Sequence, residues 1–366
     1  MNSQTKQEPA QAEMTLTRHC RLVTCGQNVK RGERIATSST PDKGDIHAPH
    51  PGKVTHVDPY RIRITKEKGE AIEPVSLTGV CGNELQNRLK ELGADLPLYE
   101  TVENLIINAV DAEQGVITRQ TLLNDCRETL EAGTKALAEA YHATSTTMAL
   151  LRGGAHGLSR MNVTPISDQY PSGLDPLVAK EVTGREAPEN TIVIGLETVF
   201  HIGRIMETRF PVMETMITVG KEGKIVSLGT PVGEILATTG QIIHDRDRII
   251  LGGPMRGTAA ASSSQGVNRS TTAVAVVSNP APIAMDAACV GCGECVRRCP
   301  ARLDPAMITS YAEFGMYDKA AEEHVDACFE CGLCGFFCIA RRPMLQYIRL
   351  TKNELAQTEA QSGKEK

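Results

Sequence analysis

Eight of the twelve cysteines fall in two copies of one spacing near the C-terminus. The first run, CVGCGECVRRCP, places Cys289, Cys292, Cys295 and Cys299 ahead of Pro300. The second, CFECGLCGFFCI, places Cys328, Cys331, Cys334 and Cys338 ahead of Ile339. Four thiolates spaced C-x2-C-x2-C-x3-C suit a cubane iron–sulfur cluster, and two such runs predict two [4Fe–4S] clusters. Three cysteines at this interval let one tight loop wrap a cluster and aim backbone N–H groups at its sulfurs. Gly291, Gly293, Gly332 and Gly335 relieve crowding in those loops. The chemistry this spacing serves is the carriage of single electrons.

In two-cluster carriers the fourth cysteine of each run ligates the cluster of the other run. The expected sets are therefore Cys289, Cys292, Cys295 and Cys338 for one cluster and Cys299, Cys328, Cys331 and Cys334 for the other. Structural zinc normally uses thiol pairs set well apart, which these compact runs do not provide. Disulfides need an oxidising compartment. The first residues, MNSQTKQEPAQAEMT, hold no apolar core of a secretory signal, so a reducing compartment is expected. Ile339 stands where a proline is usual, which removes no ligand. The scattered Cys20, Cys25, Cys81 and Cys126 are expected to be small buried residues.

At 366 residues the chain has room for about two to four domains. A net charge of −5 argues against a nucleic-acid surface, and the absence of tryptophan leaves no base-stacking platform. No apolar run approaches the length of a membrane span. Residues 1–16 and 356–366 are polar and read as disordered tails. Residues 17–75 alternate short apolar stretches with turn signals, which predicts β structure. Residues 76–210 mix helical and strand patterns: NELQNRLKELG as a helix, VENLIINAV as a buried strand, and TIVIGLETVFHIGRIME as strand, turn and helix. Residues 211–278 turn β-rich around one short helix, PVGEILATTG, the pattern of a β-grasp module. Between the cysteine runs, two short helices are expected. Asp304-Pro305 opens the first and Asp318 caps the second. A last helix follows Pro343, so residues 283–355 predict an α-helical two-cluster domain.

Several other features have simpler readings. His47, His50 and His56 lie among prolines with no acidic or thiol partner at ligand spacing. Lys43 lies near the place of a lipoylated lysine, but its offset to Ala48-Pro49 does not match, and a turn lysine is expected. Gly153, Gly154 and Gly157 could make a phosphate loop, but a lone glycine cluster is expected to be a turn. Arg297, Arg298, Arg302, Arg341 and Arg342 flank the cysteines. They read either as a solvated basic face or as a surface that steers an acidic carrier.

With these residues in hand, the chain resembles the C subunit of the Rnf complex, a redox-driven ion-translocating membrane complex. It also resembles in layout the flavoprotein subunit of respiratory complex I. The resemblance spans roughly residues 17–355 and rests on the order of several segments. These are HAPHPGKV, LIINAVDAEQGVIT, YPSG, TGRE, LGTPVGEIL and ILGGPM, followed by the paired cysteine runs. It implies a multidomain α+β fold: a lipoyl-like barrel-sandwich N-domain, a complex-I-flavoprotein-like α/β domain, an SLBB-like β-grasp module and the helical ferredoxin domain.

The resemblance further implies an iron–sulfur electron-transfer subunit that relays electrons between a soluble carrier, ferredoxin or NAD(H), and membrane flavin subunits. Its expected place is peripheral, on the cytoplasmic face of the inner membrane, with membrane contact through partner subunits and no nucleic acid. It carries a flavin mononucleotide (FMN) site onto Asn108, Asp111 and Glu113, and implies no catalytic side chain. Here the sequence departs from the family. Asp111 shortens a glutamate, Gln114 replaces a proline, YPSGLDP lacks a glycine and a lysine, and the glycine-rich phosphate loop before VENLIIN is absent. The alternative reading is a self-contained FMN-dependent NADH oxidoreductase or a cobalamin reductase of the same family.

Overall fold

The computed structural model describes residues 8–154, 158, 161–280 and 288–362. The chain divides into two compact units, one of residues 1–253 and 258–278 and one of residues 254–257 and 279–366.

The first unit begins with seven strands: β1 (Gln11–Thr15), β2 (His19–Arg21), β3 (Asn28–Val29), β4 (Arg34–Ser38), β5 (Ile46–His47), β6 (Gly52–Val57) and β7 (Arg61–Lys66). They form two sheets, ordered β1-β7-β6-β3 and β2-β4-β5, in which every pairing is antiparallel. The alternation in RIRITK explains why: Ile62 and Ile64 of β7 are fully buried while the residues between them are not.

The expected tail over 1–16 fails at Gln11–Thr15. That stretch pairs with β7 from Gln11↔Thr65 to Thr15↔Arg61 and buries Ala12 and Met14. The buried Glu13 carboxylate between them is met by Arg63 at 2.6 Å. Its polar composition conceals a strand because the acid finds a cation on its neighbour.

A parallel sheet follows, flanked by helices. Its elements are α1 (Gly82–Glu91), β8 (Asn104–Asn108), α2 (Thr118–Asp125), α3 (Arg127–Ala140), β9 (Ser145–Leu151), β10 (Asn162–Ile166), α4 (Asp175–Thr183), β11 (Thr191–Gly195) and α5 (Leu196–Thr208). The order is β10-β9-β8-β11, parallel throughout. Leu105, Ile106 and Ile107 of β8 are all fully buried, as an inner strand covered on both faces requires. Helices α3 and α5 meet through two glycines. A Cβ on Gly203 would lie 2.0 Å from the Thr129 carbonyl, and one on Gly133 2.1 Å from that of Val199.

The first unit ends with β12 (Glu214–Val219), β13 (Glu222–Ser227), α6 (Val232–Thr238), β14 (Arg248–Leu251), β15 (Thr258–Ala259) and β16 (Ala273–Val277). The sheet order is β13-β12-β16-β14-β15, with β12 and β16 parallel and the other pairs antiparallel.

Buried histidines tie the acid stability of this unit to its packing, and burial lowers the pKa of His50 as well as those of His47 and His201. Burial, aided by the Arg269 charge, lowers the pKa of His47 to about 3 and that of His201 to about 4. Both are therefore neutral in the folded chain, while the unfolded chain protonates them below about pH 6.5. Each removes up to about 1.4 kcal/mol of stability per pH unit as pH falls from about 6.5 toward its folded value. Asp111 acts in the opposite sense: burial raises its pKa to about 6, so the folded chain takes up that proton first. It offsets roughly one histidine between about pH 6 and 4. The denaturation midpoint is expected to be flat above pH 7 and to fall between pH 6.5 and 5. Urea titrations at pH 7.5 and 5.5 measure this, and equal midpoints would show that the histidines titrate normally.

The second unit is helical: α7 (Glu294–Arg297), α8 (Pro305–Glu313), α9 (Tyr317–Glu322), a 3-10 turn (Val325–Ala327), α10 (Leu333–Phe336) and α11 (Met344–Ser362). Asp304 caps α8 as its sequence predicts, accepting from the Ala306 and Met307 amides. Asp318 does not cap α9. The cap position is Met316, and Asp318 lies in the first turn. The expected tail over 356–366 is instead helical through Ser362, as the last turns of α11. Among the described residues, no helix is long and apolar enough to cross a membrane.

Candidate metal centres

The two cysteine loops fold alike. Gly293 and Gly332 each stand in the left-handed region, at φ 72° and 77°, and each starts a single helical turn, α7 or α10, that carries the third cysteine. The second loop also passes close beneath another segment of its unit, since a Cβ on Gly332 would lie 2.4 Å from the Met255 carbonyl. Only glycine meets both demands there.

A cavity of about 220 Å3 is lined by Cys289, Cys292, Cys295 and Cys338, with Val290, Ile339, Asp304 and Arg342 among its other walls. The fourth cysteine of the second run thus faces the first run's loop. The remaining four gather as a second set. Burial pushes the Cys334 thiol up to about 12, and the neighbouring Cys328, Cys331 and Cys299 add to that shift. Burial likewise raises Cys331, with Cys299 again beside it. Backbone amides already point at sulfur: Glu330 N–H donates to Cys328 Sγ and Leu303 N–H to Cys299 Sγ, each at 3.4 Å. Among the described residues, no three His, Cys, Asp or Glu side chains converge as a site for a single metal ion. Four thiols around a cavity in the first set, and four neighbouring thiols with two amides aimed at sulfur in the second, each fit a [4Fe–4S] cluster. Raised thiol pKa values mean that ligation releases protons.

The two sets differ in cover. Cys331 and Cys334 are buried, whereas Cys289 is exposed, and Val290 and Ile339 at the rim of its cavity are 63% and 69% exposed.

The flanking arginines do not form one basic face. Arg297 and Arg298 both pair with Glu294, and Arg298 also stacks 4.5 Å over the Phe337 ring. Arg342 is buried and paired with Glu313. The sequence reading missed Glu330, Arg349, Lys352 and Arg256. Glu330 accepts from Arg349 at 2.9 Å and from Lys352 at 3.2 Å, and Lys352 also donates to the Cys328 carbonyl at 2.7 Å. Arg256 donates to the Glu330 carbonyl at 3.2 Å. An acid between two ligands, and cations three apart on α11, were the available signals.

The positions of the resembled flavin site lie at the carboxyl ends of the parallel strands, where open α/β sheets bind ligands. Asp111 and Glu113 line a cavity of about 300 Å3 there. Asn108 does not. It is fully buried, and its amide donates to the Gly173 carbonyl at 2.9 Å and to Asp175 at 2.7 Å. Asp111 accepts from the Arg119 and Gln120 amides, so a carboxylate already occupies the N-terminus of α2 where a phosphate could sit. The described lining includes Asp111, Glu113 and Asp168 and no Lys, Arg or His. These residues do not fit a phosphate dianion. Of the glycine cluster, Gly153 and Gly154 follow β9 in a turn, and Gly157 lies outside the described residues.

The scattered cysteines are not buried as expected. Cys20, Cys25 and Cys81 are exposed, and Cys126 is half-buried. Cys20 falls on the open side of the short strand β2. His47 and His50 are buried, and His56 pairs with Asp58, so none of the three joins a metal cluster among the described residues.

A family model described as a 4Fe-4S dicluster domain matches residues 281–339. Over 91% of its length the chain is 23% identical to the C subunit of the ion-translocating oxidoreductase complex of Rhodobacter capsulatus, of which it spans 74%. It is also 23% identical to the C subunit of the proton-translocating ferredoxin:NAD(+) oxidoreductase complex of Clostridium ljungdahlii, covering 91% of this chain and 84% of that one. With the Na(+)-translocating counterpart of Acetobacterium woodii it shares 25% identity over 54% of this chain and 48% of that one. Among solved structures it is similar to an NAD+-reducing [NiFe]-hydrogenase at 16% identity and a TM-score of 0.38, covering 63% of this chain and 47% of that one.

Proposed function

We propose, from the premise that the chain is similar over most of its length to the C subunits of ion-translocating oxidoreductase complexes, that it is the iron–sulfur electron-transfer subunit of an Rnf-type complex. The observation that carries this reading is the placement of Cys338 beside Cys289, Cys292 and Cys295, which leaves Cys299 with Cys328, Cys331 and Cys334. Two complete thiolate sets in one small helical unit can hold two clusters, and the chemistry those clusters supply is reversible one-electron transfer.

The chain's own residues do the positioning. The left-handed glycines close the loops around the thiols, and the Glu330 and Leu303 amides donate to sulfur. The apolar walls from Val325, Ile308 and Ile348 keep water from the centre of the unit. Ferredoxin and NAD(H) are the redox partners this reading supplies. Ion movement belongs to membrane subunits, to which the chain attaches peripherally at the cytoplasmic face.

The finer division follows the sheets. Residues 17–75, extended at the front by β1, serve as a barrel-sandwich, residues 76–210 as a flavoprotein-like domain, and residues 211–278 as a β-grasp module. The two-strand core of parallel β12 and β16, with the apolar side of α6 packed in the same cluster, supports the last. The acidic cavity beside Asp111 speaks against a self-contained flavin enzyme.

Anaerobic purification with iron, sulfide and flavin counted together tests the reading. About eight irons and eight sulfides per chain, without flavin, are expected. Colourless protein, or zinc in place of iron, overturns it.

A further inference from the structure

The two thiol sets are nearly symmetric in sequence but not in the charges around them. Around the first set, the buried Arg342 is matched by Glu313, and Arg297 and Arg298 share Glu294. The Asp304 carboxylate also lines the cavity. Cations and anions there stand three to three.

Around the second set the balance is different. Lys352 donates to the carbonyl of Cys328 itself and pairs with Glu330. Arg349 pairs with the same Glu330, and its guanidinium also holds the Arg256 carbonyl at 2.7 Å. Two cations of α11 thus share one partly buried carboxylate, with Asp326 exposed to water two residues before Cys328. Arg302 and Arg341 are placed alike in the two runs. Each lies three residues beyond the fourth cysteine of its run, in the left-handed region at φ 59° and 53°.

We infer that Lys352 and Arg349 make the second set, Cys299, Cys328, Cys331 and Cys334, the seat of the higher-potential cluster, so that the first electron to enter the unit is held there. Reduction of a thiolate-ligated cluster adds one negative charge and no proton. Positive charge in excess nearby therefore favours the reduced form. Burial of Cys331 and Cys334 works the other way, since it disfavours added charge. A cation surplus held by hydrogen bonds at the loop itself outweighs it, because the same burial keeps water from screening it. The exposed first set, with Cys289 and Val290 at its mouth, then takes electrons in, and the shielded second set retains them.

This inference rests on the two-cluster reading, and one experiment separates the two. The full chain is purified anaerobically, its iron counted, and its EPR signals followed through a redox titration with dithionite as the electron source. Two midpoints are expected. Lys352→Met is expected to move only the higher midpoint to more negative potential, Arg349→Met to do the same, and Lys352→Arg to restore it. Cys295→Ser, which breaks the first set, is expected to leave the higher midpoint in place. Loss of the higher midpoint in Cys295→Ser overturns the inference. So does a Lys352→Met chain in which the lower midpoint moves or neither does. Absence of iron from the unaltered chain overturns the two-cluster reading and this inference with it. A full iron complement with the midpoints inverted overturns this inference alone.

Discussion

Replacing Cys338 with serine is expected to remove the cluster of the first cysteine run, although Cys338 belongs to the second. The iron content should fall from about eight to about four per chain. The remaining EPR signal should match that of Cys295→Ser and differ from that of Cys334→Ser. The reciprocal change, Cys299→Ser, should match Cys334→Ser. The expectation follows from geometry, since Cys338 lines one cavity with Cys289, Cys292 and Cys295, while Cys299 is felt electrostatically by Cys328, Cys331 and Cys334. If Cys338→Ser and Cys334→Ser gave the same residual signal, each run would hold its own cluster and the crossing would be wrong. The crossing has a structural consequence. Each cluster would tie together loops separated by α8 and α9, so neither run could be loaded without folding the segment between them.

The eight candidate cysteines stand out in the chain because their signal is local: the spacing alone brings three thiols into one loop. The parallel strand VENLIINAV and the capped helix at Asp304-Pro305 could be read for the same reason, since their signals lie within a few residues. What escaped depends on distant partners. Gln11–Thr15 looks like a polar tail until β7 supplies Arg63 for Glu13. Asp318 has the right residue type for a cap, but the turn before it places Met316 at the helix boundary. Arg342 resembles its basic neighbours in sequence and is instead buried against Glu313. Lys352 lies far from the cysteines along the chain, and only the path of α11 brings its ammonium to the Cys328 carbonyl. The surroundings of the flavin positions were illegible for a related reason. Asn108 and Asp111 remain chemically suitable, yet their polar atoms are already committed to Gly173, Asp175 and the amides of α2.

Arg269→Met is expected to destabilise the first unit by about 3 kcal/mol, the lower end of the range for a buried ion pair broken from one side. The guanidinium donates to the Asp45 carbonyl at 2.6 Å and the Gly44 carbonyl at 2.8 Å, and pairs with Asp95 at 3.0 Å. One side chain thus joins the loop before β5, the segment after α1 and the turn before β16. Burial alone would raise the Asp95 carboxyl, but Arg269 and Lys43 reverse this and hold it below the usual carboxylate range. Removing the arginine leaves a poorly solvated carboxylate with only the Gly44 amide and Lys43 beside it, and the Asp45 carbonyl without this donor, while the Gly44 carbonyl keeps the His19 ring nitrogen at 3.0 Å. The loss costs more than the ion pair contributed. Asp95→Asn in the Arg269→Met background removes the stranded charge, so the double variant should recover part of the loss. A urea titration of the four chains at pH 7.5 reads the coupling directly. If the double variant lost as much as the sum of the single changes, Asp95 and Arg269 would be acting independently. The tie would then rest on the backbone carbonyls alone. Recovery, by contrast, would place the carboxylate left behind at the centre of the cost.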